Sequence, residues 1–326
     1  MKKEIFNHKT LSLLILLNAS FVNAACIQNP NLRNIVVNVP NHVFNIQYDD
    51  LGTRELATTR VNFKNAPVNT FSGNNGQCGR SYLHGDYING WVPNSNKIAA
   101  TNIPGIGVRI KATQIGDLNV RYGPAIAGRL SWELPNPYWT ITFIKTGQVT
   151  ASNSLKAGIV SRLTQQNPAP HNSTWNISSL NIPSNAVRVN VLKCTTQSTN
   201  YTVNLGSWYD TQFPSIGSFS NSYNIPITLN CAAGTNIKTT VTSSAGYVDT
   251  ATGKIKLSGT GSATGIAIQL LDRNNTPIKL NTKNSLQNNV PGGNYSFNWK
   301  ARYIKTASKI TPGTANSTAT INIRYE

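Results

Sequence analysis

Apolar residues in this chain recur at every second position over short stretches, and no stretch repeats them at the helical spacing of 3.6 residues. Val187, Val189 and Val191 alternate with polar residues; so do Ile321, Ile323 and Tyr325. Gly and Pro interrupt the pattern at short intervals. Period-two segments bounded by turn formers fold as strands with one apolar face, and many of them in series make sandwiches. The expected fold class is therefore all-β, with two β-sandwich domains in tandem. Strands are expected over residues 34–39, 43–48, 107–113, 139–145, 158–163, 188–191, 201–205, 223–230, 237–243, 265–271, 295–304 and 317–324.

Residues 1–24 read as an export signal. Lys2, Lys3 and Lys9 precede an apolar run at 11–17, and Val22-Asn23-Ala24 places cleavage after Ala24. The run is too short for a bilayer-spanning helix. The remaining length suits two domains, expected at 25–191 and 192–326, the second opened by Cys194. Cys26, Cys78, Cys194 and Cys231 in an exported chain point to disulfides. Three pairings are open. Cys26–Cys78 and Cys194–Cys231 are taken because sequence-local closure keeps each domain independent, each bridge adding about 4 kcal/mol by loop entropy. No CxxC pair or zinc-like spacing occurs, and no cofactor is expected.

The chain is strongly basic, with a formal net charge of +18. The charge is spread rather than clustered and no nucleic-acid motif is present, so it points to acidic surfaces such as sialylated or sulfated glycans rather than to nucleic acid.

The terminal strand is one member of a wider pattern. A strand opened by Cys194 is followed by Tyr223-Asn-Ile-Pro-Ile-Thr-Leu-Asn-Cys231, Ala263-Thr-Gly-Ile-Ala-Ile-Gln-Leu-Leu-Asp272, Tyr295-Ser-Phe-Asn-Trp-Lys-Ala-Arg-Tyr-Ile304 and Lys309-Ile-Thr-Pro-Gly313. With Tyr325 penultimate, this order resembles the pilin domain of chaperone–usher fimbriae. The resemblance implies an immunoglobulin-like sandwich lacking its last strand. It also implies a groove carried by Gly313, Ile321, Ile323 and Tyr325, covered first by a periplasmic pilus chaperone and then, after the outer-membrane usher, by a strand from the next pilus subunit.

The preceding half is similar to the lectin domains of two-domain fimbrial tip adhesins in three segments: Ile103-Pro-Gly-Ile-Gly-Val-Arg-Ile110, Phe143-Ile-Lys-Thr-Gly147, and Trp175-Asn-Ile177 with the later Val-Arg-Val-Asn-Val run. With Ala25 leading at once into Cys26, no donor extension is expected, as suits a subunit at the fibre tip. Sugar hydroxyls need Asp, Asn or Gln partners and the apolar sugar face needs an aromatic platform. Arg80, Tyr82, Asp86, Tyr87 and Trp91 form one such cluster; Gln165, Gln166, Asn167 and Asn172 form a second. Arg80 and Ser81 stand where mannose-binding members of the family carry Asn and Asp, which turns the expectation away from mannose and toward an anionic ligand suited to a guanidinium. His84, Asp86 and His171 are metal-ligand types, but no metal is assigned to them.

No Gly-x-Ser-x-Gly, phosphate loop or HExxH is present, and Asp49-Asp50 is the only adjacent carboxylate pair in the first half. The expected function is therefore non-enzymatic: attachment through a cell-surface glycan at a fimbrium tip. The alternative is a structural or assembly subunit whose first domain makes protein contacts.

Overall fold

The computed structural model describes residues 26–71, 81–122, 132–169 and 171–326. The expected signal peptide, Cys78 and Arg80 lie outside these residues. The described chain is built from strands, with two one-turn 3-10 segments at Pro30–Leu32 and Asp210–Gln212.

Two layers form the first half. One is a five-stranded sheet in the order Ile35–Asn38, Ser173–Ile182, Gly158–Asn167, Tyr82–Tyr87, Val120–Tyr122. The other runs Arg54–Asn62, Tyr138–Lys145, Ile106–Ala112, Ala99–Ala100, with Gly116–Asp117 attached to the third. A third small sheet joins Asn153–Ser154, Val187–Leu192 and His42–Gln47, the last two in parallel. The layers meet through buried Leu83, Val108, Ile110, Trp139, Ile141, Phe143, Leu163 and Leu180. Two hydrogen bonds pin them: Trp139 Nε1 donates to Ser178 Oγ at 2.9 Å, and the Ile110 amide donates to the Tyr87 hydroxyl at 3.1 Å. At Gly85 an added Cβ would come within 2.3 Å of the Ile115 side chain and 2.7 Å of the Leu118 side chain, so a larger residue would have to push both aside.

A separate core, from Cys194 to Tyr303, occupies the second half and includes Phe213, Ile237, Val241, Leu270, Phe297 and Trp299. Its sheets are Cys194–Thr196, Thr228–Cys231, Gly293–Ser296; then Tyr223–Ile225, Trp299–Lys305, Ile266–Leu271, Lys254–Ile255, Tyr247–Asp249; then Lys283–Val290, Thr235–Thr242, Thr320–Arg324. Cys194 and Cys231 are bonded and face each other across one ladder. Cys26 is also disulfide-bonded; Cys78, its expected partner, lies outside the described residues.

Most expected strands form, with three differences. Pro226 lacks an amide hydrogen, and the expected 223–230 strand is two strands that leave Pro226 and Ile227 between them. Asn298, with φ of +55°, splits the 295–304 strand. Residues 201–205 alternate as expected and set Tyr201, Val203 and Leu205 against the core, but they join no ladder. Besides several strands of two or three residues, four longer strands whose sequences carry no clean alternation were not expected: Arg54–Asn62, Tyr82–Tyr87, Ser173–Ile182 and Lys283–Val290.

Candidate functional sites: a polar sheet face and an open strand edge

Two surfaces carry the chemistry anticipated from sequence. On the first sandwich, Tyr82–Tyr87 pairs antiparallel with Gly158–Asn167 so that Tyr82 faces Gln166, His84 faces Thr164 and Asp86 faces Arg162. Side chains alternate across a strand, so these six residues share the outer face. All are partly exposed, whereas Leu83, Gly85, Leu163, Gln165 and Asn167 between them are buried. His84 Nδ1 lies 3.0 Å from an Asp86 carboxylate oxygen, and the Thr164 hydroxyl donates to the His84 carbonyl at 3.3 Å. The face thus offers a carboxylate, an imidazole, a guanidinium, an amide and a phenol on one rigid support. Arg162 and Thr164 were missed because nothing local marks them; only the cross-strand register brings them to Asp86 and His84.

The other anticipated residues are placed differently. Tyr87 turns inward and accepts the Ile110 amide; burial pushes its hydroxyl up to about 12. Trp91 is buried in the core. Gln165 and Asn167 are buried too: the Gln165 amide donates to Asn167 Oδ1 at 2.8 Å, and Asn167 donates to Ser173 Oγ at 3.1 Å. Tyr87, Gln165 and Asn167 therefore leave the surface set because a strand residue can face the ligand or the core but not both, and Trp91, beyond the end of the Tyr82–Tyr87 strand, leaves it because its ring packs into the core. Asn172 is exposed in the turn ahead of Ser173, with φ of +41°. Among the described residues, no group of three His, Cys, Asp or Glu side chains is placed to hold a metal, and His171 does not join His84 and Asp86.

On the second sandwich, Thr320–Arg324 pairs with Thr235–Thr242 and, among the described residues, with no other strand. Ile321, Ile323 and Tyr325 face the core but are only half-buried. The Tyr325 hydroxyl donates to the Cys194 carbonyl at 3.1 Å, and burial raises its pKa. Gly313, expected in the same groove, sits instead against the backbone of 261–263. There an added Cβ would come within 2.4 Å of the Gly261 carbonyl, a contact that explains the glycine.

Comparisons with known proteins match separate parts of the chain. A family model described as "Fimbrial protein" matches residues 187–326, and one described as "MrkD-like receptor binding domain" matches 56–180. The chain is 31% identical over 137 residues to a fimbrial subunit type 1 of Salmonella typhimurium, covering 40% of this chain and 74% of that one. It is 23% identical over 250 residues to a fimbria adhesin protein of Klebsiella pneumoniae, covering 73% and 74%. A solved structure, the receptor binding domain of the Klebsiella pneumoniae adhesin MrkD1P, is 19% identical with a TM-score of 0.41, covering 52% of this chain and 98% of that one. The chain belongs to the fimbrial protein family and is a chaperone–usher adhesin with a receptor-binding domain followed by a pilin domain.

Proposed function

We propose that this protein is the tip adhesin of its fimbria, exported through the periplasm to the cell surface. In this reading the first domain, about residues 25–191, binds a cell-surface glycan without reaction. The pilin domain, 192–326, takes a strand from the next subunit after a periplasmic chaperone and the outer-membrane usher have handled it.

The observation that carries the reading is the terminal strand, which among the described residues has a ladder on one edge only, and whose apolar row is half-covered. An unpaired edge of that kind adds a strand or aggregates. The residues just before Cys194 are themselves a strand of the first sandwich, Val187–Leu192, paired with His42–Gln47. They are not free to be donated, which suits a subunit that accepts a strand at the end of a fibre.

The outward set Tyr82, Asp86, Arg162 and Gln166 supports the glycan reading. It combines hydroxyl partners with an aromatic ring, and Arg162 gives a cation able to meet an acidic sugar. A glycan array with the mature chain tests it: competable binding that falls with rising salt is expected for an acidic glycan. No glycan binding, together with capture by a fimbrial subunit through the first domain, would instead favour the assembly-subunit alternative. For the pilin half, a synthetic peptide carrying the N-terminal extension of a subunit of the same fimbria should slow amide exchange in Thr320–Arg324.

A further inference from the structure

The first domain grips the end of the strand that the pilin domain leaves open. Asp49 follows the His42–Gln47 strand and is mostly buried, with its side chain 10% exposed. One carboxylate oxygen lies 2.9 Å from the Arg324 guanidinium, and the other accepts the Tyr325 amide at 2.8 Å. The Asp49 amide in turn donates to the Tyr325 carbonyl at 2.8 Å. Both oxygens therefore point to the pilin domain, and every hydrogen-bond partner named here sits at the terminal strand.

Two residues earlier, Gln47 holds the neighbouring strand. Its amide donates to the Gly234 carbonyl at 2.9 Å and accepts from the Asn236 amide at 3.0 Å. Lys238 faces Arg324 in the ladder, so Gln47 and Asp49 seize the same end of adjacent strands. The clamp is itself fixed. The Tyr48 amide donates to Leu192, and Gln148 donates to the Tyr48 carbonyl at 2.9 Å. Lys145, with a fully buried side chain, donates to the carbonyls of Asp50 and Gly52 at 2.6 Å each.

We propose that Asp49 is a positioning residue for strand acceptance: the receptor-binding domain pre-orders the open edge of the pilin domain. The inference rests on the strand-accepting reading above. A strand paired on one edge frays, and a partner that binds it must order it. A charged acceptor fixed at its end removes part of that cost in advance, so the donated strand meets an edge already in register.

The test uses the mature chain and the donor-extension peptide. D49A removes both contacts; D49N keeps an acceptor for the Tyr325 amide but loses the charge facing Arg324. Amide exchange in Thr320–Arg324 is expected to quicken about tenfold in D49A and by less in D49N, with peptide affinity falling in the same order. Exchange in the Tyr138–Lys145 strand should stay unchanged, which separates the effect from misfolding. If D49A does not fold, R324Q breaks the same contact from the pilin side and should show the intermediate effect. Peptide protection equal in wild type and D49A overturns the role of Asp49 and leaves the strand-accepting reading intact. Absence of protection in wild type overturns both.

Discussion

The two sandwiches end on strands with the same sequence pattern and opposite surroundings. Val187–Leu192 closes the first with ladders on both edges, to Asn153–Ser154 and to His42–Gln47, and its Val187 and Val189 are each 1% exposed. Thr320–Arg324 closes the second with a ladder on one edge, and its isoleucines are half-covered. Period-two alternation thus fixes which side of a strand is apolar but says nothing about who its neighbours are. Under the strand-accepting function proposed above, this difference is the functional feature: the first closing strand is laddered on both edges, and the second leaves an edge for a partner.

The sharpest way to break this comparison is to put the same charge on both strands. V189D buries a carboxylate with no partner and should cost the first domain about 4 kcal/mol or more. I323D keeps much of its side chain at the open edge and should cost the isolated chain only about 1–2 kcal/mol, while abolishing strand acceptance. Urea unfolding of the mature chain measures both. Equal costs would mean that the terminal strand is as enclosed as its counterpart.

A smaller effect is expected at the approach to the open strand. G313A has to fit a methyl group where the backbone of 261–263 already passes, and should lower the stability of the pilin domain by about 2 kcal/mol. Thermal unfolding followed by the pilin-domain transition checks it. No change would show that the 261–263 turn yields freely, and that the glycine serves something other than close packing.

Much of the fold was legible because alternation and turn residues act locally. What escaped was set by distant contacts. Ser173–Ile182 carries buried Ser178 and Ser179 in place of large apolar residues, because it is an inner strand where Trp139 reaches across to Ser178 Oγ; its composition hides its burial. Residues 201–205 show the reverse: their alternation is real, yet among the described residues they join no ladder. The candidate receptor face was half legible for the same reason. Tyr82, Asp86 and Gln166 could be picked by chemistry, but whether Gln165 or Gln166 faces outward depends on strand parity, where a slip of one residue exchanges the faces. Arg162 enters only through its register with Asp86. Nor does local sequence hint that Asp49 reaches a strand at the far end of the chain.

The smallest predicted effect concerns how firmly that reach is held. Burial alone would raise the Asp50 carboxyl, but the hydrogen bonds from Arg54 and the Gly52 amide and the charge of Lys145 together hold it below its ordinary value. Lys145 is shifted down by its own burial, against the pull of Asp50. A carboxyl lowered on folding adds stability that is fully present above its unfolded pKa of about 3.9 and is lost as pH falls through the lower folded value. Acid should therefore loosen the 49–52 segment and, through Asp49, the end of the terminal strand. D50N should lose this share of the acid dependence while keeping the rest. Exchange in Thr320–Arg324, compared between wild type and D50N at about pH 6 and about pH 3, reads the difference after correction for intrinsic rates. If acid quickens the terminal strand equally in both chains, the Lys145–Asp50 pair does not support the clamp, and the rigidity of the junction must come from Gln47 and the Leu192 contact.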